Sequence, residues 1–123
     1  MNNVPKKILI IEDEKPLASA LEIKLTHEGF VVVTVPSGDL AFPLIERGEL
    51  SMIISDLVIP KIDGYKLLEF IKNKNIKIPV LILTNLSQIE DERKARELGA
   101  SEYFVKANTS ISQIMKFIKE KID

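Results

Sequence analysis

Residues 8–14 read Ile8-Leu9-Ile10-Ile11-Glu12-Asp13-Glu14: four apolar side chains, then three carboxylates. The apolar part is short, largely β-branched, and does not alternate with polar residues. That is the pattern of a strand buried on both faces, inside a parallel sheet covered by helices. Four more short runs of this kind follow: Val31-Val32-Val33, Met52-Ile53-Ile54, Val80-Leu81-Ile82-Leu83 and Tyr103-Phe104-Val105. Between them the spacing predicts helices over 15–28, 37–47, 64–73, 87–98 and 110–122. The first carries Leu17, Ala20, Leu21 and Leu25 on one face and stops at Gly29. The second opens at Ser37, a candidate N-cap, and contains Pro43, which should kink or shorten it. The third follows Asp63-Gly64. Ser87 with Glu90, and Ser110 with Gln113, have the spacing of a capping box. A β-α unit repeated five times predicts an α/β, doubly wound three-layer sandwich. The flavodoxin-like order 2-1-3-4-5 is the common five-strand solution.

Composition narrows the function classes. The 123 residues fit one domain, spanning 1–123. Hydrophobic residues make up 46% and charged residues 28%, an ordinary globular mixture. Lys and Arg number 17 against 18 Asp and Glu, a formal net charge of −1. Such a balance argues against direct nucleic-acid binding by bulk electrostatics. The chain has no Cys, which excludes disulfides, thiolate metal sites and cysteine nucleophiles and suits a cytoplasmic setting. No apolar run is long enough to span a bilayer, and Met1 to Lys7 are not followed by a signal-peptide segment.

In an open sheet of this order, ligands bind beyond the carboxyl ends of the strands, where strand order reverses between the first and third. The first strand ends in Glu12-Asp13-Glu14 and the third in Asp56. The fourth ends in Thr84 and the fifth in Lys106, on the same rim. Like charges about 4 Å apart cost roughly 4 kcal/mol per pair at an effective dielectric near 20. Several carboxylates in one pocket are therefore costly unless a cation joins them. The donors are hard oxygens with no His or Cys among them, which favours Mg²⁺, or Mn²⁺ in its place, over zinc. An Asp beside such a metal can attack phosphorus and form an aspartyl-phosphate. Lys106 can neutralise a phosphoryl oxygen, and the Thr84 hydroxyl can donate to another.

These residues resemble a family. Ile10-Ile11-Glu12-Asp13-Glu14, Asp56 to Gly64, Leu81-Ile82-Leu83-Thr84 and Gly99 to Lys106, in this order, are similar to the receiver domain of two-component response regulators over nearly the whole chain. The resemblance implies roles. Asp56 is the phosphoacceptor, taking a phosphoryl group from a phosphohistidine on a histidine kinase or phosphotransfer protein. Asp13 is a direct Mg²⁺ ligand, with Asp56 itself and the backbone carbonyl of Val58, and Glu12 acts mainly through water. Thr84 and Lys106 bind the phosphoryl group, and Tyr103 is the aromatic switch that turns inward when Thr84 moves. The domain is then a cytoplasmic switch, not a turnover enzyme, and signals to a downstream protein as a monomer or weak dimer. No DNA-binding helix-turn-helix follows residue 122, so it works by protein contact or is the N-terminal part of something longer. The chain departs from the family at three places. Ala107 follows Lys106 where proline in a cis peptide is usual, and a cis bond before alanine costs about 2.5–4 kcal/mol. Either a trans bond with a shifted Lys106 or a strained cis bond is expected. Asn85 follows Thr84 where a smaller residue is usual, and Pro43 interrupts the second helix.

Plainer readings stand beside these. Acidic strand ends are often just solvated, and Glu14 is the carboxylate expected to be merely exposed. Thr84 can cap the next helix, Tyr103 can be packing, and His27 suits a helix end without chemistry. Ile23 and Phe117 fall off the apolar stripes of the first and last helices, where the last stripe is Ile111, Ile114, Met115, Ile118 and Ile122. They are expected on wet faces as a docking surface for the kinase, although isolated exposed apolar residues are common. The fourth helix has few apolar anchors beyond Ile89, Ala95 and Leu98, so it and the fifth strand are expected to carry the output. Val58 and Leu86 flank the line of water attack without a group to orient water, which predicts slow dephosphorylation. Two rivals share parts of this pattern. A flavin-binding module wants a Ser/Thr/Gly loop where Glu12-Asp13-Glu14 stand. A Mg²⁺-dependent aspartyl-phosphate phosphatase wants a carboxylate where Val58 stands.

Overall fold

The computed structural model describes residues 4–122, so the outermost residues of the expected 1–123 domain lie outside the described residues. Five parallel strands alternate with five α-helices. The strands are β1 (Lys7–Ile11), β2 (Val31–Val35), β3 (Met52–Ser55), β4 (Val80–Thr84) and β5 (Glu102–Val105). The helices are α1 (Lys15–His27), α2 (Gly38–Glu46), α3 (Gly64–Asn73), α4 (Ile89–Glu97) and α5 (Ile111–Ile122). The sheet order is β2-β1-β3-β4-β5, the flavodoxin-like order. Ile11 lies opposite both Val35 and Ser55, and Thr84 opposite Val105, so the strand ends line up along one rim.

The apolar runs do what their composition requires. β1, β3 and β4 sit in the middle of the sheet and are buried almost throughout, because helices cover both faces. Leu9, Ile11, Ile53, Val80 and Ile82 pack under α2 and α3. Ile8, Ile10, Met52, Ile54, Leu81 and Leu83 pack on the opposite face with Leu21, Leu25, Ile114, Met115 and Ile118. Among the described residues no helix is long and apolar enough to cross a membrane, and no peptide bond is cis.

Several local expectations change. α1 buries Ala18 with Leu21 and Leu25, while Leu17 and Ala20 are half-buried flanks. Ser110 and Gln113 form the reciprocal capping box, at 2.8 and 3.1 Å. Ser87 and Glu90 do not. α4 starts at Ile89 after Gln88, with no side-chain cap, because Glu90 is held by Arg93 instead. Ile89 is no anchor: it is 83% exposed, well off the inward line of α4 that runs through Ala95 toward Leu98. Phe117 is not on a wet face either. It is half-buried on the flank of a wide apolar stripe, and its ring meets Phe104 of β5 edge-on at 6.1 Å. Ile23 is 70% exposed, as expected.

Candidate functional site

A cleft of about 310 Å³ opens at the carboxyl ends of β1, β3, β4 and β5. Asp13, Glu14, Asp56, Val58, Thr84, Asn85, Leu86 and Lys106 line it. The register explains the convergence. Asp56 follows β3 directly, and its amide donates to Ile11 O at 3.2 Å, while Glu12 N donates to Val35 O at 3.0 Å. Glu12, Asp56 and Lys106 each sit one step past a strand, and Thr84 is the last residue of β4.

Lys106 lies at the centre. Its Nζ is 2.7 Å from Asp56 Oδ2, 2.9 Å from Glu12 Oε1 and 3.0 Å from Glu14 Oε2. Its side chain is only 9% exposed. Burial opposes its charge, yet the bonds to Asp56, Glu12 and Glu14 prevail and hold it above the ordinary lysine range. Glu12 is buried, and that burial raises its carboxyl above the usual value against the pull of the Glu14 amide and Lys106. Glu14 is exposed but not merely so, since it completes the clamp on Lys106. The strand-end pattern could not show this, because the contact spans 92 residues of sequence.

The other Asp56 oxygen, Oδ1, accepts from Val58 N at 3.1 Å. Ser55, fully buried, donates its hydroxyl to Asp56 O at 2.8 Å and secures the backbone below. Thr84 is also fully buried, and its Oγ1 accepts from Leu86 N at 3.4 Å, leaving the hydroxyl proton uncommitted. Tyr103 is buried with its ring turned inward, and its hydroxyl donates to Leu86 O at 2.6 Å. Burial first, then the Asp91 charge, raises its phenol above the ordinary range. The Lys106–Ala107 peptide is trans, and Lys106 starts a short 3₁₀ turn (Lys106–Asn108). Asn85 is exposed at the cleft wall. Ile23 lies on α1 and Phe117 on α5, apart from the cleft.

Among the described residues, no three Asp, Glu or His side chains stand close enough to enclose a metal alone. The donor set nevertheless fits a hard divalent cation. Asp13, Glu14 and Asp56 line the cleft against one ammonium, every donor is oxygen, and Glu12 is already committed to Lys106 and the Glu14 amide. An ion here would draw on Asp13, Asp56 and non-carboxylate oxygens, which would suit Mg²⁺ with its retained waters and not a closed cage.

The sequence profile of the response regulator receiver domain family matches residues 8–119. The chain belongs to that family. The receiver domain is 38% identical over 100 residues to the transcriptional regulatory protein CusR of Escherichia coli K12, covering 81% of this chain and 44% of that protein. It is 38% identical over 101 residues to the probable transcriptional regulator ycf27 of Galdieria sulphuraria, covering 82% and 39%. The chain thus spans under half the length of these curated relatives. The BeF3-activated N-terminal receiver domain of Klebsiella pneumoniae RstA superposes with a TM-score of 0.88 at 25% identity, over 95% of this chain and 98% of that one. A CheY-like receiver protein of Methanospirillum hungatei gives 0.90 at 23% identity over 98% and 95%, a likeness of fold alone. This is a receiver domain of a two-component response regulator.

Proposed function

We propose that the receiver accepts a phosphoryl group on Asp56 from a phosphohistidine of a histidine kinase or phosphotransfer protein, in a Mg²⁺-dependent reaction. The observation that carries this reading is the placement of Lys106 Nζ 2.7 Å from Asp56 Oδ2, with the buried Thr84 hydroxyl on the same cleft. An Asp56 oxygen attacks phosphorus, the bond from phosphorus to the imidazole nitrogen breaks, and its electron pair stays on the nitrogen. Lys106 exchanges a carboxylate for a phosphoryl oxygen, and the Thr84 hydroxyl donates to another. Asp13, Asp56 and the Val58 carbonyl would hold the magnesium, which when bound neutralises charge on the phosphoryl oxygens. Thr84 moving toward the phosphoryl group draws Leu86 with it, and Leu86 O is the acceptor of the Tyr103 hydroxyl. The switch then reads out on α4 and β5, to a protein partner or to an output segment of a longer protein. The domain acts in the cytoplasm, without direct contact to nucleic acid or membrane, as a monomer or weak dimer, and it is a switch, not a turnover enzyme.

Exposure to Mg²⁺ and acetyl phosphate should add one phosphoryl group to the intact protein by mass spectrometry, and Asp56→Asn should add none. Val58, 61% exposed at the cleft, and Leu86 offer no group to orient water, so the adduct should last minutes or longer. Modification that persists in Asp56→Asn, or a half-life of seconds, would contradict the reading.

Docking of the kinase belongs to the same proposal. Ile23, exposed on α1, is the apolar point for it. Ile23→Ser should slow transfer from the cognate kinase severalfold while leaving the acetyl phosphate rate unchanged. Equal kinase rates would remove Ile23 from the surface. Ile23 is the better probe, because replacing Phe117 also removes its contact with Phe104.

A further inference from the structure

α3 starts directly on the backbone of Asp56. Gly64 N donates to Leu57 O at 2.8 Å, and a Cβ at Gly64 would lie 2.7 Å from both Asp56 O and Leu57 Cα. The first turn of α3 therefore cannot shift without moving the backbone that carries Asp56. Tyr65 is the next residue. Its hydroxyl donates to Asp91 Oδ1 on α4 at 3.1 Å, and Lys94 Nζ lies 4.3 Å from its ring centroid. Little else holds this end of α4. Ala95 is its one buried residue, and the Arg96–Glu102 and Lys72–Glu97 contacts tie down its C-terminal half. Asp91 also stands close to Tyr103. For both phenols burial raises the pKa first and the Asp91 carboxylate raises it further, for Tyr65 to about 12. Tyr65 thus meets α4 at Asp91, and Tyr103 meets the loop before it at Leu86 O.

We propose that Tyr65 is a positioning residue: its bond to Asp91 holds the start of α4 in the arrangement where Tyr103 is turned inward, and gives Asp56 a second connection to α4 through Gly64 and α3. The coupling half of this inference rests on the phosphoacceptor reading of Asp56. The energetic consequence follows from linkage. A group on Asp56 that favours the inward arrangement is bound more tightly when something else already holds α4 there, and the effect is reciprocal. The route through Thr84 and Tyr103 and the route through Gly64 and Tyr65 then converge on one element from two strand ends.

Tyr65→Phe keeps the ring and its contact with Lys94 and removes only the hydroxyl. In the unliganded protein, amide hydrogen exchange over residues 86–97 should quicken by about tenfold in this variant, with the central strands unchanged. Asp91→Ala should do the same, and the double variant should add nothing, because both remove one interaction. With Mg²⁺ and beryllofluoride, Tyr65→Phe should bind about threefold to tenfold more weakly than wild type. Unchanged exchange over 86–97, a uniform rise over the whole chain, additive variants, or equal or tighter beryllofluoride binding would each overturn the proposal. Absence of beryllofluoride binding by the wild type would overturn the phosphoacceptor reading and with it the coupling, whereas the exchange data judge the Tyr65–Asp91 bond independently.

Discussion

Lys106 is the residue on which the site's electrostatics turn. One ammonium answers Glu12, Glu14 and Asp56, and two of those three carboxylates are buried. Breaking a buried pair by removing one partner is costly, since the charge left behind is neither hydrated nor matched. Lys106→Met, which keeps the chain length, should therefore destabilise the metal-free protein by about 3 kcal/mol at neutral pH in urea denaturation. The pH profile checks the cause. The folded-state pKa of Lys106 is raised above its ordinary 10.5, so its contribution is fully present below that value and is lost as pH rises through the folded value. The deficit of the variant should stay flat from pH 7 to about 10 and shrink only above it. A deficit that disappears by pH 8 would show that the ammonium is not the source. At this scale Asp13, Asp56, Thr84 and Lys106 were readable from the chain alone, because each ends a strand or follows one within two residues, and the apolar runs announce the burial of those strands. The partner of Glu14 and the pairing of Tyr65 with Asp91 were not. Both are contacts between side chains far apart in the sequence, and no one-dimensional spacing carries them.

Elements differ in how they are held, and their caps show it. α5 opens with a reciprocal Ser110–Gln113 pair, and its apolar stripe is wide enough to take in part of Phe117. α4 opens without a side-chain cap, buries one alanine, and carries an exposed ladder of ion pairs: Arg93 with Glu90 and Glu97, and Arg96 with Glu92. Exposed pairs of that kind are screened by solvent and hold a helix only weakly. The two serines with the same spacing should therefore respond differently. Ser110→Ala should cost about 1 kcal/mol in urea denaturation, the usual value of a lost N-cap. Ser87→Ala should stay within about 0.5 kcal/mol of wild type. Equal losses would mean that Ser87 caps α4 in solution. The capping-box pattern is thus a statement about competition. Gln113 reaches back to Ser110, whereas Glu90 is taken by Arg93 three residues on. The same logic explains the inward face of α1. The stripe drawn through Leu17 and Ala20 is rotated in the structure toward Ala18, because the sheet beneath decides which flank is covered and the helix period alone does not.

Across the whole molecule the charges are nearly balanced, at −1 overall, but they are not evenly spread. At the carboxyl ends of the strands Glu12, Glu14 and Asp56 gather around Lys106, and Asp13 lines the same cleft. The fold concentrates this negative charge at the strand-order reversal between β1 and β3, where both central strands end together. A divalent cation that binds there binds the folded chain and not the unfolded one, since Asp13 and Asp56 come together only when β1 pairs with β3. Ligand linkage then makes the stability of the entire domain depend on that ion, by about 2.7 kcal/mol at a concentration one hundred times the dissociation constant. Adding Mg²⁺ should raise the midpoint of thermal unfolding in a concentration-dependent way, and a chelator should reverse the rise. Asp13→Asn should abolish most of the shift. In the absence of the ion it should be as stable as wild type or more so, because it removes one member of a like-charged group. An identical shift in wild type and Asp13→Asn would move the ion away from this cleft. A shift of the same size with Na⁺ at matched ionic strength would reduce the effect to general screening.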